Sequence, residues 1–144
     1  MSPVLKSHFA DYAAFHRTAR NQLCHYLGIP LIVLTLFALL SKVHVASVGG
    51  YGVTLAEVLF VLVSLYYLTL DATLAALMIA ASGALLILGR HLPWTVALGL
   101  FVLGWILQFV GHYVYEKRSP AFYRNLAHLL VGPLWILAKA TGRA

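Results

Sequence analysis

The chain is predicted to be an all-α integral membrane protein, a bundle of four to five transmembrane helices preceded by an N-terminal amphipathic helix at the interface. Three observations carry that expectation. Of 144 residues, 62% are hydrophobic and 10% charged, with a mean hydropathy of +0.88; a soluble domain is nearer ~45–50% apolar and ~25% charged. The apolar residues gather into stretches of helical length, punctuated by Gly49-Gly50, Asp71 and Arg90-His91-Leu92-Pro93. The charges collect at the ends of those stretches rather than within them.

Residues 5–25 read as the interfacial helix, because Leu5, Phe9, Tyr12, Ala13 and Phe15 are mixed with Lys6, Asp11, Arg17 and Arg20. A first span follows over 26–40. It is short unless His25 and its neighbours are drawn in, and Pro30 kinks or breaks it near its start. Gly49, Gly50 and Gly52 make a turn, and spans over 53–70 and 72–88 meet at Asp71 as a tight antiparallel hairpin. After a loop at Arg90 to Pro93, the span 94–115 is long enough for a hydrocarbon core of about 30 Å. The last apolar stretch, 126–140, is interrupted by Gly132-Pro133; whether it crosses, re-enters or lies on the surface is open. The whole of 1–144 is read as one membrane-embedded domain, with 26–144 forming the bundle.

Lys6, Arg17, Arg20, Lys117, Arg118 and Arg124 fall on one side of this arrangement, against Lys42 and Arg90 on the other. That asymmetry places the N-terminus in the cytoplasm, together with the beginning of the first span and the end of the 94–115 span. The net charge of +6 reads as topology: no basic–aromatic interleave and no glycine-rich phosphate loop points to a nucleic acid or nucleotide partner. A single cysteine, Cys24, rules out a disulfide framework within the chain and a CxxC metal site. Met1 to Asn21 lacks the layout of a signal peptide, and there is no internal repeat.

Two polar clusters interrupt the apolar spans. Gln108, His112 and Glu116 stand four apart, so a helix aligns them in one stripe. A charged residue at membrane depth costs about 2.5–3.5 kcal/mol, so such a stripe calls for a partner. The second cluster is His16, Asn21 and His25, at the same cytoplasmic depth. Asn21 and His25 share a face, but His16 is half a turn out of phase, and joint action needs a break near Arg17 to Arg20. Three imidazoles and the Glu116 carboxylate form a donor set that suits non-haem Fe(II), Zn or Mn. A lone interfacial histidine is ordinarily a polar anchor; two clusters at one depth, each with i,i+4 partners, weigh toward a metal. His128, three residues after Asn125, can line the same site, whereas His8, His44 and His91 fall outside it. Tyr12, Tyr113 and Tyr115 read as interface aromatics, Cys24 as a packing residue, and Lys117 and Arg118 as topology signals or anion binders.

The residues Tyr12, His16, Asn21, His25 and Pro30, followed by Gly104-Trp105-Ile106, Gln108-Phe109-Val110-Gly111-His112, Glu116-Lys117-Arg118 and Pro120-Ala121, closely resemble the 2-hydroxy fatty acid dioxygenases. These are small membrane proteins of fatty-acid α-oxidation, and the likeness covers nearly the whole chain. It implies an Fe(II)-dependent enzyme that uses O2 to shorten a 2-hydroxy fatty acid by one carbon. By that likeness His16, His25 and His112 match the motif histidines and Glu116 the motif glutamate, which ligates iron or orients a ligand. Lys117 or Arg118 would then attract the substrate carboxylate, and Asn21 and Gln108 would hydrogen-bond around the site. His128 departs from the pattern, which has glutamine there. The conversion RCH(OH)COOH + O2 → RCOOH + CO2 + H2O balances without an outside reductant. Membrane di-iron hydroxylases are set aside, since the seven histidines form neither HxxxH nor HxxHH boxes. The alternatives from other classes are a haem electron carrier using His25 and His112, and a non-catalytic membrane scaffold.

Overall fold

A computed structural model describes all residues, Met1–Ala144. Helix α1 (Pro3–Ala14) starts where the Ser2 hydroxyl accepts from the Leu5 N–H and Pro3 occupies the first turn. Its buried face is Leu5, Phe9 and Tyr12. The helix expected over 5–25 is in fact two helices. In an unbroken helix the N–H groups of Arg17 and Thr18 would bond to the carbonyls four residues back. Here the Glu116 carboxylate accepts both, and the Thr18 side chain caps the new helix through the Asn21 N–H.

Helix α2 (Ala19–Leu40) runs on through Pro30 for 22 residues and takes His25 into the span. It packs most intimately on α5 (Trp94–Phe109). Glycine permits this contact: a Cβ on Gly104 would meet Ile32 Cγ1 at 2.7 Å and the Gly28 carbonyl at 3.2 Å. Between α2 and α3 (Leu55–Leu70), strands β1 (His44–Val48) and β2 (Tyr51–Thr54) form an antiparallel hairpin. Gly49 and Gly50 supply the two positive φ angles, 57° and 82°, that a two-residue turn requires. The glycines predict a turn but not the strands that flank it, and the helix expected from 53 begins at Leu55, after β2. Helix α4 (Ala72–His91) ends beside this hairpin, where Arg90 bonds to Glu57 and Tyr51.

Three stretches are long and apolar enough to cross a membrane: Ala19–Leu40, Ala72–His91 and Trp94–Glu116. Their outer faces, with those of α3, expose Leu62, Leu65, Ile87, Leu88, Val102 and Ile106, a belt suited to lipid. Helix α6 (His128–Ala140) has 13 residues, about 20 Å, too short for a ~30 Å core. It instead covers the end of the bundle with α1, burying Leu5, Phe9, Tyr12, Tyr67, Leu74, Val131, Leu134 and Trp135 together.

At that end Asp71 caps α4 through the Leu74 N–H at 2.9 Å and meets the Met1 ammonium at 2.9 Å. The Leu74 N–H first, then the ammonium, hold its carboxyl below the usual range. A carboxyl depressed in the folded state stabilises above its unfolded pKa, about 3.9, and that contribution fades as pH falls through the lower folded value. Stability of the purified protein is therefore expected to fall below about pH 4, and Asp71→Asn to flatten this decline. Thermal melts of both proteins between pH 6 and pH 2.5 check it; parallel curves would remove Asp71 from the acid response.

Candidate metal centre

His16 sits in the break after α1, His25 two turns into α2, and His112 in a π-helical turn, Val110–Glu116, that continues α5. Helical turns of this kind recur at functional sites because they reset the phase of the residues after them. All three histidines are buried, at 2%, 3% and 2% exposure. Each offers a ligand atom within 4.8 Å of the others. The rings meet edge to face, with centroids 4.4 Å apart for His16–His25 and 4.8 Å for each pair with His112.

The hydrogen bonds settle two tautomers. His16 Nδ1 lies 2.6 Å from the Tyr12 carbonyl, and His25 Nδ1 lies 2.9 Å from the Asn21 carbonyl. A carbonyl only accepts, so both Nδ1 atoms carry hydrogen and both Nε2 atoms keep a lone pair. His16 Nε2 and His112 Nδ1 are buried with no protein partner. Leaving such a group unpaired costs about 1–3 kcal/mol. Burial, and then the nearby His25, hold the His16 pKa down to about 3, so its ring is neutral at physiological pH. Neutral imidazoles oriented by backbone carbonyls, with orphaned nitrogens converging, are what a divalent transition metal requires.

Glu116 is not brought into this cluster. Its carboxylate accepts from the N–H groups of Arg17 (2.9 Å) and Thr18 (3.0 Å), the Thr18 hydroxyl (2.9 Å) and the Asn21 amide (3.0 Å). The i,i+4 argument that paired it with His112 presumed an α-helical ladder, and the π turn replaces that ladder. Asn21 also donates to the Phe15 carbonyl at 3.2 Å, and a Cβ on Gly111 would collide with its Oδ1. Asn21 is thus a strut between the break and the π turn. Gln108 reaches the Cys24 carbonyl only at 3.5 Å and faces the cavity described below.

Lys117 and Arg118 lie outside. Lys117 adopts φ 54° and is exposed, its N–H closing the π turn on the His112 carbonyl. Arg118 donates to the Ala14 carbonyl at 3.2 Å and lies over the Phe15 ring. Neither lines the cavity. Tyr12, read from sequence as an interface aromatic, is instead 3% exposed and stacks on His16 at 3.9 Å. Only its i,i+4 spacing to His16 hinted at this. His44 and His91 lie at the opposite end of the bundle, on the hairpin and at the end of α4.

From the three histidines a cavity of about 390 Å³ runs between α2, α3 and α5 to Leu36, Phe37, Leu59 and Phe60. His25 and Phe37 are 12 residues apart on α2, or about 18 Å. The walls are mainly aliphatic and aromatic. His128 lines the same cavity near its histidine end, beside Tyr12 and Phe15.

An all-helical membrane-type bundle that converges three buried imidazoles on one end of a long apolar cavity has the make-up of a class: a site able to hold a metal beside space of lipid shape. Comparison with known proteins is more specific. The family model described as 2-hydroxy-palmitic acid dioxygenase Mpo1-like matches residues 3–144. The chain is 36% identical over 138 residues to the 2-hydroxy-palmitic acid dioxygenase MPO1 of Saccharomyces cerevisiae, covering 92% of this chain and 77% of that protein. The chain belongs to the Mpo1-like family, in agreement with the motif resemblance. No solved structure matches it.

Proposed function

We propose that this protein is an Fe(II)-dependent dioxygenase that converts a long-chain 2-hydroxy fatty acid to the fatty acid one carbon shorter, releasing CO2. The observation that carries the reading is the continuity between the trihistidine cluster and the apolar cavity, in a member of a family described by this substrate class. His16, His25 and His112 would hold the iron, which when bound supplies the redox chemistry with O2. The substrate itself provides all the electrons, so no second organic cofactor is required.

The protein's own residues supply binding and orientation. The Tyr12 and Asn21 carbonyls fix two imidazoles in one tautomer and one direction. Glu116 positions rather than ligates, holding the His16 loop against the π turn that carries His112. The Trp105, Phe122 and Leu130 side chains give the cavity an apolar wall. Half of a ~30 Å hydrocarbon core is the depth of one layer of lipid chains, so an ~18 Å cavity suits one long acyl tail. The basic residues at the histidine end favour a cytoplasmic position for the site and the N-terminus.

Two competing readings fit less well. His25 and His112 are in edge contact at 4.8 Å, which leaves no gap for a haem plane between them. A scaffold has no use for orphaned imidazole nitrogens. O2 uptake by detergent-purified, iron-loaded protein with 2-hydroxypalmitate, yielding pentadecanoate and stopping with chelator, is the deciding experiment. Iron-loaded protein that consumes no O2 with any 2-hydroxy acid would sink the proposal.

The tail's location has its own test. Val33→Phe narrows the cavity ahead of Phe37 and Phe60, and is expected to lower kcat/KM for the longest chains by about tenfold while sparing shorter ones. A series of 2-hydroxy acids of graded length reads this directly; an unaltered length profile would place the tail elsewhere.

A further inference from the structure

A fatty acid carries a carboxyl group that must be desolvated on entry, and burying an unpaired carboxylate is prohibitive. The two cations expected to receive it, Lys117 and Arg118, do not line the cavity. Outside the trihistidine cluster, His128 is the one cavity-lining side chain able to carry positive charge. Its ring is buried, and its Nε2 lies 2.7 Å from Asp11 Oδ2. A carboxylate only accepts, so Nε2 carries a hydrogen, and in the neutral ring Nδ1 presents a lone pair. That Nδ1 is buried and has no partner.

The plainest role for the pair is to pin α6 to α1, and it does join them. Pinning uses only Nε2, however, and does not account for an orphaned nitrogen in a cavity wall. The arrangement also spans a boundary: the His128 side chain is 3% exposed and that of Asp11 53%. One side of the pair meets water and the other meets the cavity. The Tyr12 ring touches both His16, on which it stacks, and His128, to which it is edge-on at 5.8 Å. The His128 and His16 rings therefore stand on either side of one aromatic ring.

Resting on the function proposed above, we infer that His128, backed by Asp11, is the binding site for the carboxyl group of the fatty acid. The uncharged acid, favoured in hydrocarbon, gives its proton to Nδ1. The products are a carboxylate and an imidazolium, which bond to each other through Nδ1–H while Nε2–H remains on Asp11. Only a proton moves, and the Asp11 charge stabilises the cation formed.

The test uses the full chain, detergent-purified and iron-loaded under nitrogen, with palmitate and methyl palmitate as probes, since neither has a 2-hydroxyl to oxidise. Equilibrium dialysis of each labelled ligand is compared for the wild type, His128→Leu and Asp11→Asn. A charge-assisted bond is expected to make His128→Leu about ten- to a hundredfold weaker for the acid and unaltered for the ester. Asp11→Asn, on an accessible carboxylate that leaves the core intact, shifts the acid in the same direction by less. Equal losses for acid and ester, or no loss for either, would overturn the inference. Wild-type protein that binds acid through His128 yet oxidises no 2-hydroxy acid would retract the dioxygenase reading and leave this site standing. Turnover with the same KM in His128→Leu would do the reverse.

Discussion

His112→Ala is expected to abolish both iron retention and turnover, a loss beyond a thousandfold on the scale of removing a metal from its enzyme. His16, His25 and His112 converge within 4.8 Å, and no carboxylate joins them to take over a vacated position. Removing one leaves two imidazoles and a pocket open to water where the ring stood. His112 is the cleanest of the three to remove, because its ring nitrogens make no hydrogen bond to the protein, whereas His16 and His25 are tied to backbone carbonyls. Metal analysis of the purified variant, with O2 uptake alongside, decides the matter. Full iron occupancy with lost activity would make His112 a substrate contact, and full activity would remove it from the site.

Glu116→Ala is expected to weaken iron binding by about 10–100-fold and to lower stability as well, through the loop rather than through a lost ligand. Its removal strands the N–H groups of Arg17 and Thr18 and frees the strut at Asn21. The His16 ring then loses its fixed station. The discriminating companion is Thr18→Ala, which cuts the same network from the other side and removes the α2 cap at a cost of about 0.5–2 kcal/mol. Both variants should lose iron in parallel on titration. If Glu116→Ala emptied the site while Thr18→Ala left affinity untouched, Glu116 would be a ligand after all.

These two residues also mark where sequence reasoning reached and where it stopped. The spans were legible because apolar runs of helical length need no tertiary information. The polar clusters were legible because histidines at membrane depth are costly, and the phase mismatch between His16 and His25 demanded the break now seen at Phe15 to Thr18. What closes that break was not legible: Glu116 and Thr18 are 98 positions apart, and no local periodicity couples them. The π turn escaped for a related reason, since i,i+4 spacing is read on the assumption of an α ladder. That Lys117 and Arg118 stand outside the cavity was not legible, because charge identifies a cation but not the side of the wall on which it stands. His128 was placed near the site by its position after Asn125, yet nothing in the pattern joined it to Asp11, 117 positions away.

The π turn also makes the site depend on a count. One residue more or fewer between Val110 and Glu116 rotates everything beyond it by about 100°, the angle per residue of an α-helix. Deleting exposed Val114 would leave every ligand and every hydrogen-bonding residue in the chain, and still turn Glu116 away from Arg17 and Thr18. The hairpin at 44–54, at the far end of the bundle, is free of that constraint and can absorb insertions. Length variation in related chains should therefore gather at the hairpin and be absent from the seven residues that carry His112.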